Sequence, residues 1–356
     1  MMRSKAGANI LGPVLFFALV GALMVGPATA AGQEEHRVQG SVVSVYNLAG
    51  TAEIVPGSGS DVVVRVMRGG RDSGRLEVDA QEVRGRQALI IRYPADEVSY
   101  PEMGGGSRTE VRVRADGTFG GGGSGGDRVR VSGRGNGMEA WADLRIEVPA
   151  GKDFALFLAV GETEASGVVG DLLIDVGSGA VRAQETRGVL NIDTGSGAVF
   201  VRDVQGDLLV DTGSGRVELE GVRGTEVNVD TGSGAVTGTD ISASSLRVDT
   251  GSGRVGLRRV AAPDVYVDTG SGGVEIDLLE DVDRLVVDTG SGGVTVRVPA
   301  SLGAQIELET GSGGIDLDLP LEVREIRRNS MRGTVGDGEG RISIDTGSGA
   351  IRLISG

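Results

Sequence analysis

Asp-Thr-Gly-Ser is the residue set on which aspartic proteases build a catalytic carboxylate. This chain of 356 residues carries it within a pentapeptide, Asp-Thr-Gly-Ser-Gly or a close variant, nine times. The copies start at Asp175, Asp193, Asp211, Asp230, Asp249, Asp268, Asp288, Glu309 and Asp345. Val176 replaces threonine in the first copy, and Glu309 replaces aspartate in the eighth. A protease of that kind needs two aspartates facing each other across a dyad and sharing one proton. Here successive starts lie 18, 18, 19, 19, 19, 20, 21 and 36 residues apart. A carboxylate at the same phase of every repeat makes a ladder along one edge and selects no opposed pair. The aspartates are expected to hold turns: each can accept hydrogen bonds from turn N–H groups two or three residues on.

Other chemistries lack parts. His36 is the only histidine, so neither a Ser-His-Asp triad in the body of the chain nor a HExxH zinc helix is available. Without cysteine there are no disulfides and no thiolate metal sites. No catalytic residue, cofactor or metal is assigned. A carbohydrate-active solenoid could work with carboxylates alone, but it needs a cleft and aromatic platforms, and Trp141, the single tryptophan, reads as core. The carboxylate ladder also admits calcium. Neighbouring coils about 4.8 Å apart would set unit charges repelling by ~0.9 kcal/mol even in water, which a bound cation would relieve. Calcium solenoids of the glycine-aspartate type repeat every nine residues, however, which is not this period. A flat threonine ladder could bind ice, but parity places Thr212 on the inward face with Leu208 and Val210.

The elements that position the ladder follow from its flanks. Leu208 and Val210, Val227 and Val229, or Leu246 and Val248 precede the motif; Val217 and Leu219, or Val274 and Ile276, follow it. Polar residues such as Asn228, Arg247 and Glu218 stand between them. This is the period-2 pattern of half-buried strands, rich in β-branched residues that suit a pleated surface. Each unit reads strand, tight turn, strand, looser turn. One unit has a single apolar face that it cannot bury alone, and stacking in register buries a continuous core. The fold class is therefore all-β: a single-stranded parallel β-helix, or β-solenoid, expected to be right-handed, with 18–21 residues per coil. An up-and-down barrel would not need the same turn at the same phase each time. Val210, Val229, Val248, Val267 and Val287 should form one inward column.

Residues 1–30 read as a signal peptide: Arg3 and Lys5, an uncharged apolar run over residues 10–25, then Ala28-Thr29-Ala30. Cleavage between Ala30 and Ala31 would leave the mature chain two units more negative than the formal −15, with no transmembrane anchor. Residues 31–36 form a polar lead-in. Residues 37–160 read as irregular N-terminal β coils, with a Gly-rich flexible loop over 103–137 and a short hairpin within it. Residues 161–356 carry the regular solenoid, with an insertion near 319–336. The acidity excludes nucleic acid, because phosphate neutralisation needs a basic face.

These residues also carry a resemblance. SVYNLAGTAEI at 44–54, ADLRIEVPAG at 142–151, the VDTGSG repeats and GEGRISIDTGSGAIRL at 338–353 resemble the bacterial putative-adhesin family of β-strand-repeat proteins, a domain-of-unknown-function group. The resemblance covers most of the mature chain and is specific for architecture. It implies a parallel β-solenoid that is exported or envelope-associated, and it attaches no catalytic residues. The expected function is a non-catalytic structural or interaction module, adhesin-like, in the periplasm, at the cell surface or outside the cell. Its ligand in the envelope or on a surface is not named by the sequence. Two alternatives stand beside it: a carbohydrate-binding or carbohydrate-active β-helix, and a calcium-stabilised adhesion scaffold.

Overall fold

Alternation along the repeats produces two strands per coil, one before the motif corner and one after it. In Leu208–Thr212 and Val217–Arg223, for instance, the apolar residues point inward and the polar ones outward. The structure is a computed structural model describing residues 33–121 and 125–356; the expected cleavage site at Ala30 and Ala31 lies outside the described residues. Strands preceding the corner join into a 15-stranded sheet, here the upstream sheet, and those following it into a 14-stranded downstream sheet. Through the repeats both sheets are parallel, and the register is kept apart from a shift between Leu257 and Val260 in the downstream sheet. In the upstream sheet Val210 pairs with Val229, Val229 with Val248, Val248 with Val267 and Val267 with Val287. All five valines are at most 3% exposed. Each buried valine or leucine contributes about 1.5–3 kcal/mol, and two or three inward side chains per strand form a core that runs the length of the stack. No α-helix occurs among the described residues, only short 3₁₀ turns at Ser73–Arg75 and Pro101–Met103. No helix there is long and apolar enough to cross a membrane.

The coils do not stack in chain order at either end. At the C-terminal end, the upstream sheet runs Arg284–Thr289, Gly340–Thr346, Ala304–Thr310. The downstream sheet matches it with Val294–Val298, Ile351–Ser355, Ile315–Asp318. The last coil of the chain is thus threaded between the two that precede it. The spacing of 36 residues between Glu309 and Asp345 reads in sequence as an insertion or a degraded coil. It holds an antiparallel hairpin, Glu322–Ile326 with Ser330–Val335, that extends the upstream sheet past Ala304–Thr310.

At the N-terminal end the coil Val42–Ala49 and Ala52–Gly57 is threaded in the same way. Ala52–Gly57 lies between Trp141–Pro149 and Thr163–Ser166, and Val42–Ala49 between Arg86–Arg92 and Lys152–Val160. Two of the connections that step over an intervening strand begin Val-Pro-Ala, at Val148 and Val298. Proline cannot donate to the ladder, so it ends a strand where the chain must leave the sheet.

The residues expected to be a polar lead-in contribute from Gln33 onward to an edge strand, Gln33–Val38, antiparallel to Val62–Gly69. His36 sits in it, 3.5 Å from Glu34, and belongs to the sheet. The Gly-rich stretch holds the expected hairpin, Arg108–Val113 with Asp127–Ser132, and this joins Glu97–Ser99 and Met138–Glu139 in a separate four-stranded sheet. Trp141, read as core, is only partly buried. It lies on the outside of its strand, over Gly69 and 5.8 Å from the Tyr100 ring. The four outermost strands of the two large sheets, QEEHRV, IDLD, EVDAQEV and EVREI, are all charged, which protects an exposed edge from pairing with another chain.

Candidate functional site

The nine motif carboxylates meet on the outside of the upstream sheet. Asp193 pairs in register with Asp175 and Asp211, and the column continues through Asp230, Asp249, Asp268 and Asp288. Threading of the last coil makes the final order Asp288, Asp345, Glu309. Beyond Asp175 the same position is taken by Phe157 and then Tyr46, whose rings stack at 4.5 Å.

From the copy at Asp230 onward the corner is held by the threonine and not by the aspartate, whereas the Thr194 hydroxyl makes neither bond. Gly253 N–H donates to Thr250 Oγ1 at 3.0 Å, and the Thr250 hydroxyl donates to the Gly234 carbonyl of the neighbouring coil at 3.1 Å. The same pair of bonds recurs at Thr269, Thr289, Thr310 and Thr346. These threonines are at most 1% exposed, as parity requires of Thr212 and its counterparts. Asn47 occupies the equivalent place at the N-terminal end, donating to Ala49 O and Ala142 O and accepting from the Tyr93 hydroxyl. The motif glycines serve close approach. From the copy at Asp193 onward neither glycine has φ in the left-handed region, yet a Cβ on Gly215 or Gly253 would collide with the carbonyl oxygen of the coil below.

Freed from the turn, the aspartates repel one another. Burial, together with Asp193 and against a bond from Gly121 N–H at 3.2 Å, pushes Asp175 up to about 6. Burial and then the neighbouring carboxylates raise Asp193, Asp249 and Asp345 as well. Some relief comes from Arg247, which lies 3.5 Å from Asp249 and 4.3 Å from the Tyr266 ring centre, and from the Tyr266 hydroxyl, which donates to Asp268 at 3.1 Å. Among the described residues no group of three or more acidic or histidine side chains is arranged to hold a metal ion.

Within the repeats, aspartates at the looser turn also bind backbone amides. Asp171 accepts from Val189 N–H at 3.0 Å, and Asp207 accepts from Thr225 and Glu226 N–H at 2.9 and 3.0 Å. Their signal was available as Gly-Asp pairs at Gly170 and Gly206.

The opposite face, the outside of the downstream sheet, differs. Three hollows of 520, 310 and 560 Å³ lie along it. The first and second share Thr237 and Thr239, and the second and third share Arg254, Gly256 and Glu275, so together they form one shallow trough. Five arginines and four carboxylates line it. At one end Phe200 is half-buried, with the Arg182 and Arg216 guanidiniums 5.1 and 5.6 Å from its ring centre. Sequence reasoning missed this face, because its residues vary from coil to coil and no motif marks them.

A family model described as Toastrack DUF4097 matches residues 142–353, more than half of the chain. The chain belongs to the Toastrack DUF4097 family. The Toastrack match begins one residue into the strand Trp141–Pro149, yet the fold reaches further back. The coil spanning 42–57, outside the match, sits between matched strands of the downstream sheet. No curated protein matches this Toastrack chain. A crystal structure of a putative cell adhesion protein from Clostridium sporogenes ATCC 15579 aligns with 91% of this chain and 99% of its own at 13% identity. Its TM-score is 0.21, too low to equate the two folds.

Proposed function

We propose that this protein is an exported, non-catalytic interaction module of the cell envelope or surface, adhesin-like, that binds its partner across a rigid stack of coils. The carrying observation is the pair of long outer faces with opposite character: a carboxylate column on the upstream sheet and a trough of balanced charge on the downstream sheet. A repeated face supports many weak contacts in register, which is how solenoids present extended binding surfaces. Arrangement of the motif carboxylates as one column, with a copy in every coil and no opposed pair, supports a non-enzymatic role. Export rests on the leader-like residues 1–30 and cleavage between Ala30 and Ala31. The test is binding of the purified exported protein to envelope preparations, with N-terminal sequencing of the same material. A product starting at Ala31 that sediments with envelope in a saturable manner supports the reading. Retention of Met1, or no saturable binding, overturns it.

The trough favours the carbohydrate-binding alternative as the form this interaction takes. It combines the aromatic ring of Phe200 with hydrogen-bonding side chains on an exposed surface.

A further inference from the structure

We infer that the trough on the downstream sheet binds a neutral, linear polysaccharide laid along the solenoid axis. This rests on the reading of the protein as an interaction module and names the ligand class of that surface.

The length of the site comes from the coil spacing. The trough crosses nine strands, from Val181–Gln184 to Ile315–Asp318 in spatial order. At about 4.8 Å per strand that is about 38 Å, too long for a small molecule and open along its whole length. An occupant must therefore be a chain running across the strands. A peptide cannot join by strand addition on this surface, because the backbone groups of interior strands are already spent on their neighbours and only a sheet edge has them free.

The chemistry of the lining selects among chains. A polyanion would meet Glu218 and Glu275 in the trough and a formal charge of −15 on the whole chain. A polycation would be drawn to the carboxylate column on the other face and away from the arginines. The trough instead offers guanidinium donors, carboxylate acceptors and threonine hydroxyls in alternation. Glu218 follows Phe200 and precedes Thr237; Glu275 precedes Thr295 and then Arg352. Glu218, Glu275 and Arg352 already hold ion pairs with Arg216, Arg297 and Asp316. Sugar hydroxyls, which both donate and accept, can bond the remaining lone pairs and N–H groups of such pairs without a net charge of their own. Arg254 lines two of the three hollows and makes no ion pair among the described residues, which leaves its donors for a ligand. Phe200 supplies the apolar surface on which the C–H face of a sugar ring can rest, once Arg182 or Arg216 turns aside.

The trough floor at Gly256 provides the test. A Cβ there would meet nothing within 4 Å, so Gly256→Trp should fill the trough and leave the fold intact. The exported protein is titrated calorimetrically with soluble β-1,4-glucan, β-1,4-mannan and β-1,4-linked N-acetylglucosamine oligomers of increasing length, and with heparin as a polyanion. Binding of at least one neutral series is expected, tightening with chain length, and weakened at least tenfold by Gly256→Trp and by Arg254→Ala at an unchanged melting temperature. Asn228→Trp, on the upstream face, should bind as the parent does and so controls for an added surface tryptophan. The inference is overturned if no neutral series binds, if heparin binds more tightly than all of them, or if Gly256→Trp binds as the parent does. Saturable envelope binding that survives Gly256→Trp would remove the trough as the site while leaving the interaction module itself standing.

Discussion

Thr250 and Asp249 stand side by side in one copy of the motif and carry unequal shares of its corner. Thr250 satisfies the buried Gly253 N–H and Gly234 carbonyl; Asp249 points outward to a like-charged column. Thr250→Val keeps the shape and strands both backbone groups, so denaturant unfolding should show a loss of about 1–3 kcal/mol. Asp249→Asn should be neutral or stabilising at pH 7, because it removes repulsion and no turn bond. If Asp249→Asn costs more than Thr250→Val, the assignment of the corner to threonine is wrong. Asp175 adds a pH dependence. Its folded pKa of about 6 lies above the usual 3.8, so the folded state holds that proton more tightly than the unfolded one. The resulting stability is complete below about pH 4 and is lost as pH rises through 6, on the order of 2–3 kcal/mol over that window. Asp193, Asp249 and Asp345 act in the same direction. Glu275 acts in the opposite one: a hydrogen bond from Arg297 lowers it, so its contribution fades only in stronger acid. The melting temperature should therefore fall between pH 4.5 and 7.5, and Asp175→Asn should flatten that fall. A parent curve that rises over the same range would refute the buried-carboxylate account.

The looser turn stores strain of its own. Glu185, Asp203, Asp240 and Arg259 occupy one phase of successive coils with φ between 52° and 58°, and Gly167 and Gly221 occupy it in two others. A non-glycine residue in this conformation costs about 1–2 kcal/mol, partly offset when glycine replaces it because the unfolded chain gains entropy. Glu185→Gly is expected to raise stability by about 0.5–1 kcal/mol, measured as a shift in the denaturant midpoint at unchanged slope. A loss instead would mean that the Glu185 side chain makes a contribution larger than the backbone strain.

Threading of the last coil governs how the whole molecule opens. Gly340–Thr346 and Ile351–Ser355 lie near the end of the sequence but have a neighbour on both sides in each sheet. Terminal segments usually fray. Here the amides of Ile342, Ile344 and Leu353 should exchange with solvent as slowly as those of Leu246 and Val248 in mid-stack, while those of Glu322–Ile326 exchange fast. Rapid exchange at Ile342 and Ile344 would show that the coil is not locked in place. The carboxylate column belongs to this scale too. It offers one motif carboxylate per coil and no assembled metal group among the described residues, so folding is expected not to require calcium. Calcium and magnesium at equal ionic strength should raise the melting temperature alike, by screening. A large increase for calcium alone would make the column a metal site.

Period, alternation and glycine content determined that this chain stacks β coils, which valines fill the core, and that the motif threonines point inward. Those properties depend on neighbours within one repeat, and the pattern of Leu246, Val248 and Thr250 displays them directly. The hydrogen bonding of the corner was not legible, because Asp249 and Thr250 are both able to cap a turn and only the packing of Gly234 against Gly253 decides between them. Coil order was still less so. The copies at Asp288, Glu309 and Asp345 present nearly the same strand pattern, so pairing in either order satisfies the sequence. The choice falls to the connections, to Pro299 ending its strand and the chain stepping over a level, and to the hairpin that covers the outer coil. The trough arises for the same reason: Phe200, Arg254 and Glu275 are unremarkable alone and far apart in the chain, and tertiary stacking alone places them along one face.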